Sequence, residues 1–228
     1  MRPVLFGQPH HVVIEYRGHR LEGELVSPSE PIGIVLFAHG SGSSRLSPRN
    51  QLVAQTLQQV GIATLLFDLL EESEAVDRRN VFDVKLLASR LRGAAEWIGQ
   101  QPEFEKLPLG FFGASTGAAA ALIAAAESPG QVAAIVSRGG RPDLAEGWLR
   151  QVTAPTLLIV GGEDDQVIEM NRFALSRLHC HARLEIVPRA THLFEEPGTL
   201  EEVAQLAAAW FTTFLSKKEN SLRGVEAR

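Results

Sequence analysis

The chain has 228 residues, of which 45% are hydrophobic and 21% charged, with a formal net charge of −5 and one cysteine, Cys180. This length and composition suit a single globular domain with a full core. The slight acidity argues against nucleic acid or an anionic membrane as a partner, and a lone cysteine excludes an internal disulfide and suits a reducing cytoplasm.

Residues 10–17 and 20–26 alternate polar and apolar side chains on either side of Gly18-His19, which predicts an antiparallel hairpin at a sheet edge. The segment 27–31, with two prolines, breaks the chain. Residues 32–38 form a continuous apolar run, the pattern of a strand covered on both faces. The Gly- and Ser-rich loop 39–45 follows. Ser47-Pro48 then predicts a helix start, with Leu52, Val53, Leu57 and Val60 inward. Residues 62–67 read as the next buried strand, ending at Asp68, and 69–79 as a charged loop. Asn80 is expected to cap a helix to about Gly99, with Val81, Val84, Leu87, Leu91, Ala94, Ala95 and Ile98 inward.

A strand at 109–112 and an Ala-rich helix at 118–126 come next. The remaining chain reads as strand 132–136, short helix 143–150, strand 155–160, helix 168–178, strand 183–187 and closing helix 199–215. Residues 1–216 are taken as one domain and 217–228 as a polar tail. The first ten residues lack the apolar run and cleavage site of a signal peptide, and no stretch of ~18 apolar residues occurs. The expected location is therefore the cytoplasm, with no membrane contact. Strands alternating with helices predict an α/β fold, a mostly parallel central sheet of about eight strands with helices on both faces. The stretch 137–154 has room for one short helix, so the lid should be minimal or absent and the site shallow.

Sites in such sheets form beyond the carboxyl ends of the strands. Gly113-Ala114-Ser115-Thr116-Gly117 lies between a strand and a helix, where a sharp turn must push Ser115 outward: a nucleophile elbow. A serine hydroxyl needs a base, and the base an orienting carboxylate. His192 follows the last strand and Asp164 the strand before it, with Asp165 as the competing neighbour. The order Ser115, Asp164, His192 is that of an α/β-hydrolase triad. Two N–H donors should face the oxyanion, that of Thr116 and one from the 39–42 loop, that of Ser41. His39, which precedes the Gly-rich turn, reads as a loop anchor. Arg45, Arg138 and Arg141 lie in loops on the same edge, and Arg45 and Arg138 are carried forward as candidates to bind a substrate carboxylate. His179-Cys180-His181 lacks further ligands nearby, so no metal and no cofactor is expected.

These segments, together with Gly161-Gly162-Glu163-Asp164, 136–143 and 190–194, resemble the α/β-hydrolases of the dienelactone-hydrolase-like branch over roughly residues 10–215. The chain is also similar to the hydrolase domain that some bacterial proteins carry fused to a phosphoribosyltransferase. Authentic dienelactone hydrolases use a cysteine nucleophile, whereas this chain has Ser115. The triad, with a serine in place of the cysteine, points to a serine carboxylesterase acting on small acyl esters or lactones, and a small-molecule ester substrate and a monomer or homodimer are expected. An open site implies short acyl groups of about two to six carbons, since little apolar surface is left to bury more. A small amide or peptide hydrolase with the same triad, and a non-catalytic hydrolase-like binding module, are the alternatives.

Overall fold

The apolar run after Pro31 becomes the centre of a sheet. In the computed structural model, which describes residues 7–216, strand β3 (Gly33–Ala38) is buried along its whole length. It lies between β4 (Ile62–Phe67) and β5 (Leu109–Ala114), parallel to both. The hairpin β1 (His10–Tyr16) and β2 (His19–Val26) adds antiparallel to β4. On the other side β6 (Val132–Arg138), β7 (Thr156–Gly161) and β8 (Ala182–Val187) continue in parallel. The result is an eight-stranded sheet in the order β1-β2-β4-β3-β5-β6-β7-β8. The hairpin turns at Arg17 and Gly18, both with positive φ, which matches the twist of its strands.

Side chains of β3 alternate between two cores. Val35 and Phe37 face a cluster built with α1 (Pro48–Gln59) and α7 (Thr199–Leu215). Ile34, Leu36 and Ala38 face the other, built with α4 (Val84–Gly99) and α5 (Thr116–Ala126). A 3₁₀ helix (Pro142–Gln151) and α6 (Asp165–Arg177) complete that second layer. Helix α5 is buried at every residue. Its alanines let α4 and the 3₁₀ helix approach closely, and removing so much apolar surface from water supplies much of the driving force for folding.

Four expectations are corrected. The charged stretch after β4 is not a plain loop: it folds into α2 (Glu72–Ala75) and α3 (Arg78–Phe82). Glu71 and Glu74 form a reciprocal capping box, and Asp77 caps α3 through the Arg79 N–H. Helix α4 starts at Val84, not after Asn80, because the Asp83 carboxylate accepts from the Lys85 and Leu86 N–H groups. The Asn80 side chain instead donates to the Glu74 carbonyl at 2.9 Å. Helix α6 begins at Asp165, three residues earlier than the apolar periodicity suggests, and β6 runs on to Arg138. The polar tail 217–228 lies outside the described residues. No helix among the described residues is long and apolar enough to cross a membrane.

Candidate active site

The turn from β5 into α5 sets the geometry. Ser115 has φ 50° and ψ −121°, a backbone state costly for any residue with a Cβ. It is held by its surroundings. The Ser115 N–H donates to the Arg138 carbonyl at 3.2 Å, and its own carbonyl accepts from Ala118 and Arg141. A Cβ on Gly117 would lie 2.1 Å from the Ala38 carbonyl oxygen, and one on Gly113 would lie 2.4 Å from the Ala118 Cα. Only glycines let strand, turn and helix pack this tightly. Ser115 stands at the N-cap of α5 but makes no side-chain cap bond, so its hydroxyl is left for the cleft. The positive end of the α5 dipole lies behind it.

Asp164 and His192 come from the ends of β7 and β8. The Asp164 carboxylate lies 2.6 Å from His192 Nδ1. Asp164 is the N-cap of α6 yet makes no cap bond with its side chain, because that carboxylate is turned to the imidazole instead. Asp165, one residue on, is exposed. The two loops are laced together: Gly162 N–H donates to Val187 O at 2.8 Å and Glu163 N–H to Ala190 O at 2.9 Å. A Cβ on Gly161 would lie 2.3 Å from the Ala190 oxygen, so this close approach requires glycine. Buried Phe194, at φ 56°, anchors the histidine loop beneath. The Thr191 N–H donates to Glu196 and holds that carboxyl below its usual range. The imidazole lies over the end of β6, since a Cβ on Gly139 would be 3.5 Å from His192 Cε1. That places it beside Arg138, whose carbonyl binds the Ser115 N–H. No Ser115–His192 hydrogen bond occurs among those of the described residues, and such contacts tighten when substrate arrives.

The loop after β3 closes the other side. The Ser41 N–H donates to Thr116 Oγ1 at 3.0 Å, while the Thr116 N–H, in the first turn of α5, has no acceptor within the helix. His39 anchors this loop: Nδ1 donates to the Gly40 carbonyl and Nε2 accepts the Leu69 N–H at 3.1 Å. Burial pushes the His39 pKa down, so the ring is neutral. Arg45 is paired to Asp68 through its guanidinium and its backbone N–H. Arg141 is paired in a two-pronged fork to Asp143, at 2.9 and 2.8 Å. Arg138 differs. It is buried, its Nε and Nη1 have no partner, and burial together with the neighbouring Arg49 pulls its pKa down to about 10.

Helices α2 and α3 roof a cavity of about 1110 Å³ beside the loop 39–46. Its walls include Leu46, Leu70, Val81, Phe82 and Leu87. Glu71 accepts the Arg20 N–H at 2.8 Å, and Glu74 pairs with Arg90 at 2.7 Å, which fastens this roof to β2 and α4. His19, Glu71 and Glu74 bring ligand atoms within 4.8 Å of one another, a grouping the sequence did not suggest. Arg90 already supplies the cation there. Elsewhere, at the start of β8, His181 stacks on Trp210 with ring centroids 5.5 Å apart.

Residues 31–213 match the family described as an alpha/beta hydrolase domain. A crystal structure described as a dienelactone hydrolase from Anabaena variabilis is 57% identical, with a TM-score of 0.88, over 91% of this chain and 98% of its own. Est1E from Butyrivibrio proteoclasticus shares the fold at 16% identity, with a TM-score of 0.78, over 91% of this chain and 99% of its own. A protein of Mycobacterium tuberculosis strain H37Rv, provisionally named a phosphoribosyl transferase, is 58% identical over 193 residues, which is 85% of this chain and 44% of that protein. This chain thus spans about half or less of the length of the curated relatives it matches.

Proposed function

From the premise that this chain belongs to the α/β-hydrolase family, in its dienelactone-hydrolase-like branch, we propose that it is a serine carboxylesterase acting through an acyl-enzyme on Ser115. The observation that carries this is the 2.6 Å contact of Asp164 with His192 Nδ1, at the edge of a strained serine elbow. Asp164 fixes the tautomer with the proton on Nδ1, which leaves Nε2 free to accept. In this mechanism Ser115 Oγ attacks the acyl carbon as Nε2 takes its proton. The tetrahedral oxyanion is held by the Thr116 N–H and by the Ser41 N–H, which turns from Thr116 Oγ1 to the developing charge. Collapse breaks the bond to the alcohol oxygen, and His192 returns the proton to that oxygen. Water then repeats the sequence on the acyl-enzyme, which releases the acid and restores Ser115.

Of the two arginines considered for a substrate carboxylate, Arg138 is buried with Nε and Nη1 unpartnered, and its backbone carbonyl holds the Ser115 N–H, whereas Arg45 is bound to Asp68. The anion-binding role is therefore assigned to Arg138, and Arg45 to holding the oxyanion loop. The chemistry needs no metal or cofactor. Release of p-nitrophenol from p-nitrophenyl acetate, compared between the native chain and Ser115→Ala, tests the proposal. Activity that vanishes with the hydroxyl supports it, and activity that survives contradicts it.

A further inference from the structure

The cavity under α2 and α3 is lined by apolar side chains together with charged ones, among them Arg20, Glu22, Asp68 and Glu72, and has no assigned occupant. Its inner end is formed by Gly40 and Ser41. These same residues touch the nucleophile's turn: a Cβ on Gly40 would lie 3.0 Å from the Ser115 Cβ, and the Ser41 N–H binds Thr116. Gly40 and Ser41 thus stand between the cavity, which Ser115 and His192 do not themselves line, and the nucleophile's turn. In the sheet it lies on the β3–β4 side of β5, while His192 arrives from the β7–β8 side. The leaving alcohol must stay within reach of His192, which protonates it. The group left to point away from His192 is the acyl chain.

We infer that this cavity is the acyl subsite and that the substrate is an ester of a bulky apolar acid, resting on the hydrolase reading above. The volume of about 1110 Å³ exceeds what a two-carbon acyl group fills, and drug-sized ligands occupy clefts of roughly 300–1,000 Å³. Phe82 is half exposed at the roof, with the Arg78 guanidinium 5.8 Å from its ring centroid. Its side chain is part of the cavity lining. Leu70 and Leu87 give a buried apolar floor. The Glu71 and Glu74 ties keep the roof in place without substrate, so the subsite is preformed and binding needs little reordering.

The test is the ratio of kcat/KM for p-nitrophenyl 3-phenylpropanoate to that for p-nitrophenyl acetate. The native chain should give a ratio of about ten or more, since several added carbons become buried at ~0.8 kcal/mol each, partly offset by ordering. Phe82→Ala, which removes that ring from the lining, and Ala75→Trp, which fills the cavity from its exposed roof, should each lower this ratio about fivefold or more. Val76→Ser, on the roof but outside the cavity lining, should leave the ratio as it is. Acetate hydrolysis that depends on Ser115 with a ratio near one, or a ratio that ignores both cavity variants, would overturn this inference and leave the hydrolase reading standing. A preference confined to bulky alcohols, read with 2-naphthyl against methyl acetate, would overturn the acyl assignment. If neither ester is hydrolysed and Ser115 takes up no fluorophosphonate, the hydrolase reading fails and this inference with it.

Discussion

Replacing Asp164 by Asn separates the two adjacent acids most sharply. The carboxylate of Asp164 lies 2.6 Å from His192 Nδ1, and its side chain is only 16% exposed. When His192 takes the serine proton, a full positive charge appears next to that carboxylate. An amide cannot balance the charge, and it can turn its NH₂ toward Nδ1 and select the wrong tautomer. The expected loss in kcat is ~10³–10⁴-fold, equivalent to ~4–5.5 kcal/mol of transition-state stabilisation. Stability should change little, by less than about 2 kcal/mol, because the Asp164 side chain makes no cap bond to α6. Asp165→Asn changes an exposed side chain and should alter kcat less than about twofold. Steady-state kinetics of both variants on one p-nitrophenyl ester, with thermal melts alongside, decide the matter. An Asp164→Asn enzyme within tenfold of native, or a larger loss in Asp165→Asn, would refute this assignment.

Ser115→Gly should raise stability above that of Ser115→Ala by ~1–2 kcal/mol, seen as a melting temperature a few degrees higher, because glycine removes the strain at φ 50°. Gly161→Ala should cost ~1–3 kcal/mol and lower activity ~10²-fold, since its Cβ would press to 2.3 Å on the Ala190 oxygen and move the histidine loop; native-like melts and rates would count against that packing. Burial holds the His39 pKa below its ordinary 6.5, so the unfolded chain takes up the proton first. Its contribution to stability is present above about pH 6.5 and is lost as pH falls below that value toward the folded pKa. Melts from pH 8 to 5 should therefore show an acid-side loss that is smaller in His39→Gln, and equal slopes would contradict it.

The sheet was legible because its central strands are unbroken apolar runs, and β3, β4 and β7 are each buried at every residue. The elbow was legible from its context: Gly113 and Gly117 flank Ser115 between an apolar strand and an Ala-rich helix. The choice of Asp164 over Asp165 agrees with the contact to His192. The roof of the cavity was not legible. Residues 69–82 carry no apolar period, and α2 and α3 exist through local carboxylate caps and long-range ties to Arg20 and Arg90. The expectation of a shallow site rested on the short 137–154 connection and took no account of this folded segment beside the loop after β3. The start of α4 was misplaced because Asn80 and Asp83 are both good caps, and only Asp83 has free N–H groups to accept from. The close approach of Gly161 to Ala190 pairs residues far apart in sequence, which no local pattern can reveal.

The central claim is that Ser115 is an activated nucleophile. Incubation of the chain with a fluorophosphonate, followed by intact mass and peptide mapping, tests it most directly. One adduct per chain, on Ser115, lost in Ser115→Ala and strongly slowed in Asp164→Asn, is the expected result. No adduct, or an adduct that persists in Ser115→Ala, would contradict it.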